Sequence, residues 1–208
     1  DRASDHDALM SAFNIAVQET AHLDVHCIGI DPARFEAVPI GGSASLMTGA
    51  YDDAKRIADE LAEWATETLP NTYSSLAIAP IVIPQMGLDS VVARLSRYSD
   101  LVVASKPYTE TKNPLHVSVL EAELFGTDAP VLIVPPGRQL DGRPFQRVVV
   151  AWNESREAFA GIRAALPTLK AADRVNIVMV DPPAHSPERS DPGGSICIML
   201  ARHGVRRK

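Results

Sequence analysis

The chain has 208 residues and a formal net charge of -6 at pH 7, and 46% of its residues are hydrophobic while 22% are charged. This length can form one large or two modest domains that each bury a core, and the composition is ordinary for a globular protein. The acidic balance argues against a binder of nucleic-acid backbones, because no basic cluster precedes Arg206, Arg207 and Lys208.

The sequence shows neither a membrane signal nor a redox motif. No apolar run approaches the length of a membrane span, and no secretory signal pattern is recognisable. The two cysteines, Cys27 and Cys197, lie far apart and outside any C-x-x-C motif, which favours buried thiols over a disulfide bridge. We therefore expect a cytoplasmic protein without a membrane partner.

The first part of the chain alternates helical and strand patterns. A helical pattern over 1–20 is followed by a strand over 22–30, which an Asp-Pro pair ends. Several glycines and prolines then predict a loop over 31–49. Its GGSAS stretch, 41–45, could surround an anion with backbone N–H groups, but no lysine or strand context supports a phosphate loop. A mobile surface loop is the favoured interpretation there.

The alternation continues through six further predicted elements. These are a helix over 51–68, a strand over 76–83, a helix over 87–98, a strand over 101–104, a helix over 114–125 and a strand over 131–134. Pro80 inside its strand predicts an edge position or a bulge. Tyr98 is expected in the inward stripe of its helix, and Gly126 is expected as a helix C-cap. Alternating strands and helices with short connections predict a mostly parallel sheet with right-handed crossovers.

A second unit repeats the opening of the first. Its predicted elements are a strand over 148–151, a helix over 155–169, a strand over 174–180 and a short helix over 196–202, capped by Gly204 and followed by the start of a strand at Val205. The repeated order of helix, strand and Asp-Pro indicates a tandem repeat. We therefore predict a first unit over 1–137, a linker over 138–146 and a second unit over 147–208. Since neither unit has its full set of strands, we expect a longer biological chain.

Few residues suggest chemistry. His22, Asp24 and His26 alternate along one strand, so they could share a face and bind a metal, but a polar strand end at the surface is the favoured interpretation. No serine-hydrolase, phosphate-loop, zinc-protease or dinucleotide-binding motif occurs. We therefore predict neither a metal site nor catalytic residues.

The positions after the strands of the second unit are the candidate ligand site. In open α/β sheets, ligands bind beyond the carboxyl ends of the strands. The candidates are the stretch 152–155, with Trp152, Asn153 and Ser155, after one strand, and Val180 and Asp181 after the next. The N-terminus of the helix beginning at Ser155 offers N–H groups to an anion. The open alternative is that Asn153 and Ser155 only cap that helix.

With these residues in view, the chain resembles the universal stress protein superfamily in its tandem bacterial form. The resemblance rests on the stretch 148–180, on the runs 98–103 and 129–136, and on 1–30, which matches the same opening without its first strand. It implies an α/β fold of two tandem, doubly wound parallel-sheet units, Rossmann-like and similar to the adenine nucleotide alpha hydrolases. The second unit is incomplete in this chain.

The resemblance also implies a function. Many members bind ATP through an acidic residue after the first strand and a loop G-x2-G-x9-G-[ST] after the fourth. Asn153 occupies the acidic position, and the first unit reads SKPYTETKNPLHVSV over 105–119, with no glycine. ATP is therefore expected in the second unit only, on Ala151, Asn153, Ser155 and Val180, together with a loop outside this sequence.

Three functional hypotheses follow from the resemblance. The first is a nucleotide-responsive stress-response module without clear catalytic residues. The second is a structural or signalling scaffold of the same fold that binds no nucleotide. The third is a small enzyme of the related adenine-nucleotide hydrolase group, with weak ATP hydrolysis. The resemblance further implies self-association through the last strands, as a pseudo-dimer within one chain or as a homodimer.

Overall fold

The computed structural model describes residues 2–32, 43–107, 114–143, 145–180, 191 and 193–205. The chain divides into two compact units, unit 1 over Asp1–Gly142 and unit 2 over Arg143–Lys208. The elements of unit 1 are α1 Arg2–Glu19, β1 Leu23–Asp31, α2 Ser43–Thr68, β2 Leu76–Pro84, α3 Leu88–Ser96, β3 Val102–Ser105, α4 Pro114–Gly126 and β4 Val131–Val134. Those of unit 2 are β5 Arg147–Ala151, α5 Arg156–Ala164, α6 Leu166–Ala171, β6 Arg174–Val178 and α7 Gly194–Arg202.

All strand pairs in the described chain are parallel. In unit 1, β1 pairs with β2 and β3 pairs with β4, while in unit 2 β5 pairs with β6. Helices alternate with these strands along the chain. The predicted α/β class with parallel sheets is confirmed.

The alternation of hydrogen bonds along β2 explains why this strand tolerates a proline at position 80. The Leu23 N–H donates to the Ser75 carbonyl, and the Gln85 N–H donates to the Asp31 carbonyl. Because alternate residues of a parallel strand bond to opposite neighbours, the odd-numbered residues of β2 face β1 and Pro80 faces the other edge. Among the described strands β2 pairs with β1 alone. Pro80 therefore lies where its missing N–H costs no ladder bond, as the prediction of an edge strand required.

Unit 1 covers both faces of its first sheet. One face contributes Leu23, Val25 and Cys27 to a core shared with α1 and α2. The opposite face contributes Ile28 and Ile30 to a core shared with α3 and α4. This arrangement is the doubly wound architecture, with helices on both sides of a parallel sheet.

Two glycines allow helices to approach closely. A Cβ at Gly29 would overlap the backbone carbonyl of Ala54, so α2 lies directly on β1 at this point. A Cβ at Gly126 would lie 2.7 Å from the Ala93 Cβ, where α4 meets α3. Gly126 is the last residue of α4 rather than a left-handed cap, and this close contact explains its presence.

The core of unit 2 lies on one face of its sheet. Val150 packs there with Ile162, Leu169 and Leu200, which come from α5, α6 and α7. Gly204 ends α7 with φ 83°, and the Val205 N–H bonds to the Leu200 carbonyl, so the predicted C-cap is confirmed. Val205 is buried in this core, and residues 206–208, which would continue the predicted strand, lie outside the described residues.

Several predicted boundaries are wrong; the strand predicted over 174–180 ends at Val178, two residues before Val180. Helix α2 begins at Ser43, so the part of the predicted loop from 43 onward is helical; Gly41 and Gly42 lie outside the described residues. Tyr98 is 90% exposed, because α3 ends at Ser96 and leaves it outside the helix. The predicted helix over 155–169 is two helices, because Pro167 lacks an N–H and its ring cannot continue α5.

Candidate functional site

The turn after β5 is closed by its own side chains. The Ser155 N–H donates to Asn153 Oδ1 at 3.1 Å, and the Ala158 N–H donates to Ser155 Oγ at 3.0 Å. Glu154 between them has φ 62°, in the left-handed region that non-glycine residues seldom adopt. These two bonds hold the strained residue and fix the angle at which α5 leaves the strand. Ser155 therefore acts as the N-cap, as one of the two open interpretations stated.

The cap leaves part of the N-terminus of α5 available. A helix leaves its first N–H groups without intrahelical partners, and Ser155 satisfies that of Ala158. The N–H groups of Arg156 and Glu157 precede it at the positive end of the helix dipole. The carboxylate of Glu157 lies in the same first turn, where the helix dipole stabilises its negative charge. The same charge repels an anion that approaches the helix N-terminus.

The four predicted site residues lie at the carboxyl ends of β5 and β6 or directly after them. Ala151 ends β5 opposite Val178, and the Trp152 N–H donates to the Val178 carbonyl at 2.9 Å. Val180 lies two residues beyond β6 with its side chain 88% exposed. Asn153 and Ser155 occupy the turn beside them. The structure thus brings together the ends of two parallel strands and the start of α5, the position where such sheets bind ligands.

Sequence reasoning placed Trp152 in the candidate stretch but gave it no role of its own. Its ring packs edge-on against Phe159 at 6.4 Å, and the Arg163 guanidinium lies 4.7 Å from the centroid of Phe159. The indole Nε1–H is buried, and among the described residues it has no hydrogen-bond partner. A buried indole N–H normally has an acceptor, and leaving it without one costs free energy. The only sequence signal was a tryptophan directly after a buried strand.

Helix α1 forms a second polar cluster with the strand ends of unit 1. Ser105 Oγ, at the end of β3, donates to Asp5 Oδ1 at 2.6 Å, and the Gly137 N–H donates to Asp7 Oδ2 at 2.6 Å. The fully buried Ser11 accepts from the Leu140 N–H at 2.8 Å. The cluster fixes α1 over the carboxyl ends of β3 and β4. Sequence reasoning missed it because the partners lie 100 to 130 residues apart.

His116 in α4 belongs to the same region. Burial lowers the pKa of His116, and the Asp5 carboxylate partly opposes this effect. The imidazole is therefore neutral at pH 7. The bond from the Ser105 hydroxyl to Asp5 joins the end of β3 to the first turn of α1. We predicted that the stretch 105–119 contains no phosphate loop. Residues 108–113 of this stretch lie outside the described residues.

His22, directly before β1, forms a small exposed network with Asp24 and Ser75. His22 contacts Ser75 Oγ at 3.1 Å through Nδ1 and Asp24 Oδ1 at 3.2 Å through Nε2. Within the described ranges, no group of three or more histidine, cysteine, aspartate or glutamate side chains is arranged to hold a metal ion.

Two buried titratable groups lie outside these clusters. Burial raises the pKa of the Cys27 thiol to about 11, so this cysteine is an unreactive thiol in the core. Burial also raises the pKa of Glu123 to about 7, and its Oε2 has no partner among the described residues. Neither Cys27 nor Cys197 forms a disulfide.

A shallow cavity of about 470 Å³ lies between α3 and α4. Leu88, Asp89, Glu121 and the exposed Phe125 contribute to its walls. It does not include any predicted site residue.

The fold can now be compared with known proteins. No family model matches the sequence, and no curated protein matches it. A solved structure of a universal stress protein from Archaeoglobus fulgidus DSM 4304 superposes with a TM-score of 0.62 over 99% of this chain and 71% of that chain, at 14% sequence identity. The chain has the universal stress protein fold. In the described part of this fold, no helix is long and apolar enough to cross a membrane.

Proposed function

We propose that this chain is a universal stress protein that acts in the cytoplasm as a nucleotide-responsive binding module. An adenine nucleotide binds at the carboxyl edge of β5 and β6, and no catalytic group turns it over. The observation that carries this proposal is the strand–turn–helix of unit 2, where Trp152 to Ser155 link two strand ends to the start of α5. That arrangement is the position at which parallel sheets of this kind accept ligands.

Each predicted residue has a definite part in this proposal. Ala151 and Val180 provide apolar surface for the nucleoside at the two strand ends. The side-chain amide of Asn153 donates to sugar or base, since its oxygen is used by the Ser155 N–H. Trp152 offers a buried donor that has no acceptor among the described residues.

The scaffold hypothesis also has an observation in its favour. The Asn153 and Ser155 oxygens are both occupied by bonds that shape the turn, as a purely structural pair would be. A neutral amide also binds a ribose hydroxyl less strongly than a carboxylate does. Both points favour a turn that is retained for the fold after nucleotide binding is lost.

Calorimetry with ATP separates the two functions. The nucleotide-binding function predicts measurable heat of binding in the 208-residue chain and tighter binding in Asn153→Asp, because the second carboxylate oxygen accepts from a ribose hydroxyl more strongly than the amide N–H₂ donates to one. Asn176→Asp is the matched control, since Asn176 is an exposed asparagine in the body of β6. Absence of heat in all three chains would contradict the proposal and favour the scaffold.

We also propose that the protein is a tandem universal stress protein that self-associates through β4, as a pseudo-dimer or as a homodimer. Among the described strands β4 pairs with β3 alone, and the alternation of the ladder turns the N–H groups of Val131 and Ile133 toward the outer edge. The Ile133 side chain is 40% exposed there. An open edge of valine, leucine and isoleucine favours pairing with another strand.

A further inference from the structure

The cavity of unit 1 opens where α3 and α4 move apart. The two helices touch at Ala93 and Gly126, where a Cβ on the glycine would lie 2.7 Å from the alanine Cβ. Asp89 lies about one turn before Ala93 in α3, and Ala122 lies about one turn before Gly126 in α4. Both residues belong to the walls of this cavity of about 470 Å³. The helices therefore run in the same direction, and the cavity lies between the turns that precede their contact.

Each of the two helices contributes one carboxylate to the walls. Asp89 from α3 and Glu121 from α4 are both exposed. In the described part of the chain, neither carboxylate forms a hydrogen bond or an ion pair. The side chains of Gln85 and Ser118 add two further oxygen acceptors, and no lysine, arginine or histidine is among the described residues that line the cavity. The lining therefore attracts a cation and repels an anion.

The remaining walls are apolar. Leu88 and Ala122 provide buried surface, while the ring of Phe125 is 84% exposed beside them. An aromatic face in this position can bind a methylene chain, and it also attracts an ammonium group. A concave site of several hundred Å³, lined by apolar side chains and a few polar groups, has the dimensions and the composition of a small-molecule site.

The lining also decides which kind of cation fits. Within the described ranges, no group of three or more histidine, cysteine, aspartate or glutamate side chains is arranged to hold a metal ion. A cation with a single ammonium group would pair with only one of the two carboxylates. A neutral apolar molecule would leave both of them without a partner. The ligand that matches all of the walls has two positive groups joined by an apolar chain.

We propose that the cavity between α3 and α4 binds an aliphatic diamine, a methylene chain with an ammonium group at each end. One ammonium group pairs with Asp89 and the other with Glu121, while the methylene chain lies against Phe125. The net charge of -6 raises the concentration of such cations near the protein. All of these residues belong to unit 1, so the proposal does not depend on a nucleotide site in unit 2.

NMR titration of the ¹⁵N-labelled 208-residue chain with diaminobutane, which carries an amino group at each end, tests the proposal. The ionic strength is held constant with sodium chloride. We expect the backbone signals of Asp89, Glu121 and Phe125 to shift together and to saturate. Butylamine has the same chain but only one ammonium group. It should bind at least about threefold more weakly, because one of the two ion pairs is lost.

Three variants assign the binding to this cavity. Glu121→Gln keeps the shape of the side chain but removes its charge, and it should weaken diaminobutane binding at least about threefold. Glu67→Gln is the matched control, since Glu67 is an exposed glutamate of α2 outside the cavity, and it should leave the affinity unchanged. Phe125→Leu keeps apolar surface without the aromatic face and should weaken binding by about two- to fivefold. All three side chains are exposed, so the thermal midpoints without ligand should equal that of the unsubstituted chain.

Four results would overturn the proposal. One is the absence of saturable shifts at millimolar diaminobutane. Another is an equal loss of affinity in Glu121→Gln and Glu67→Gln, because it would show that only the net charge of the protein attracts the ligand. The third is equal affinity for butylamine and diaminobutane, which would remove the need for two carboxylates. The fourth is that magnesium chloride produces the same saturable shifts at Asp89 and Glu121, because it would assign the cavity to a metal ion.

Discussion

Ser105 and Asp5 are 100 residues apart in the sequence, and the hydroxyl of the first donates to the carboxylate of the second at 2.6 Å. The bond joins the end of β3 to the first turn of α1. A hydrogen bond to a charged group contributes about 1.5 kcal/mol or more. We expect Ser105→Ala to lower the free energy of unfolding of unit 1 by that amount in urea titrations. Ser118→Ala is the control, because Ser118 bonds only to its own helix at 3.2 Å; equal losses in both would contradict the account.

Glu123 should make stability depend on pH. Burial raises the pKa of its carboxyl from 4.5 to about 7, so the folded state retains a proton that the unfolded state releases. The stabilising contribution is complete below pH 4.5 and is lost as the pH rises toward 7, with an upper bound of about 3 kcal/mol. Urea titrations between pH 4.5 and 7.5 measure this loss. Glu123→Gln should flatten the profile, whereas Glu121→Gln, at an exposed position, should leave it unchanged.

Gly126 should not tolerate a methyl group. A Cβ there lies 2.7 Å from the Ala93 Cβ, so α3 and α4 must separate, at a cost of about 1 to 3 kcal/mol. Gly49 in α2 is the matched control, since a Cβ added there has no neighbour within 4 Å. Gly49→Ala should stabilise the unit by about 0.5 to 1 kcal/mol through helix propensity. Calorimetric unfolding of both variants tests whether stability falls in Gly126→Ala and rises in Gly49→Ala. A gain of stability in Gly126→Ala would be inconsistent with the close contact.

The β4 edge should control self-association. A charge at Leu132, in the middle of this strand, should shift sedimentation toward smaller species, and the shift should depend on protein concentration. Concentration dependence distinguishes lost association from a destabilised monomer. Leu124→Glu places the same charge on α4, where the side chain is 43% exposed and away from the edge. Unchanged sedimentation and thermal stability of Leu132→Glu would contradict the proposed pairing.

Local patterns predicted most of the elements, because strand and helix periods and the positions of Pro80 and Gly204 are properties of neighbouring residues. The errors arose where one residue outweighed its neighbours, as Pro167 does in dividing α5 from α6. The bond between Asp5 and Ser105 could not be predicted, because nothing in the sequence specifies which distant polar groups meet. Trp152 stood in the candidate stretch, but its unsatisfied N–H could not be predicted for the same reason, since it depends on tertiary packing.

The central proposal is that an adenine nucleotide binds in unit 2, and the two tryptophans of the chain test it directly. Trp152 adjoins the candidate site, while Trp64 belongs to the core of unit 1 between α1 and α2. Two-dimensional NMR of the ¹⁵N-labelled chain resolves one indole N–H signal for each. On titration with ATP, we expect the Trp152 signal and the backbone signals of Asn153 and Ser155 to shift together while the Trp64 signal stays in place. A shift of Trp64 alone, or no shift at millimolar ATP, would contradict the account.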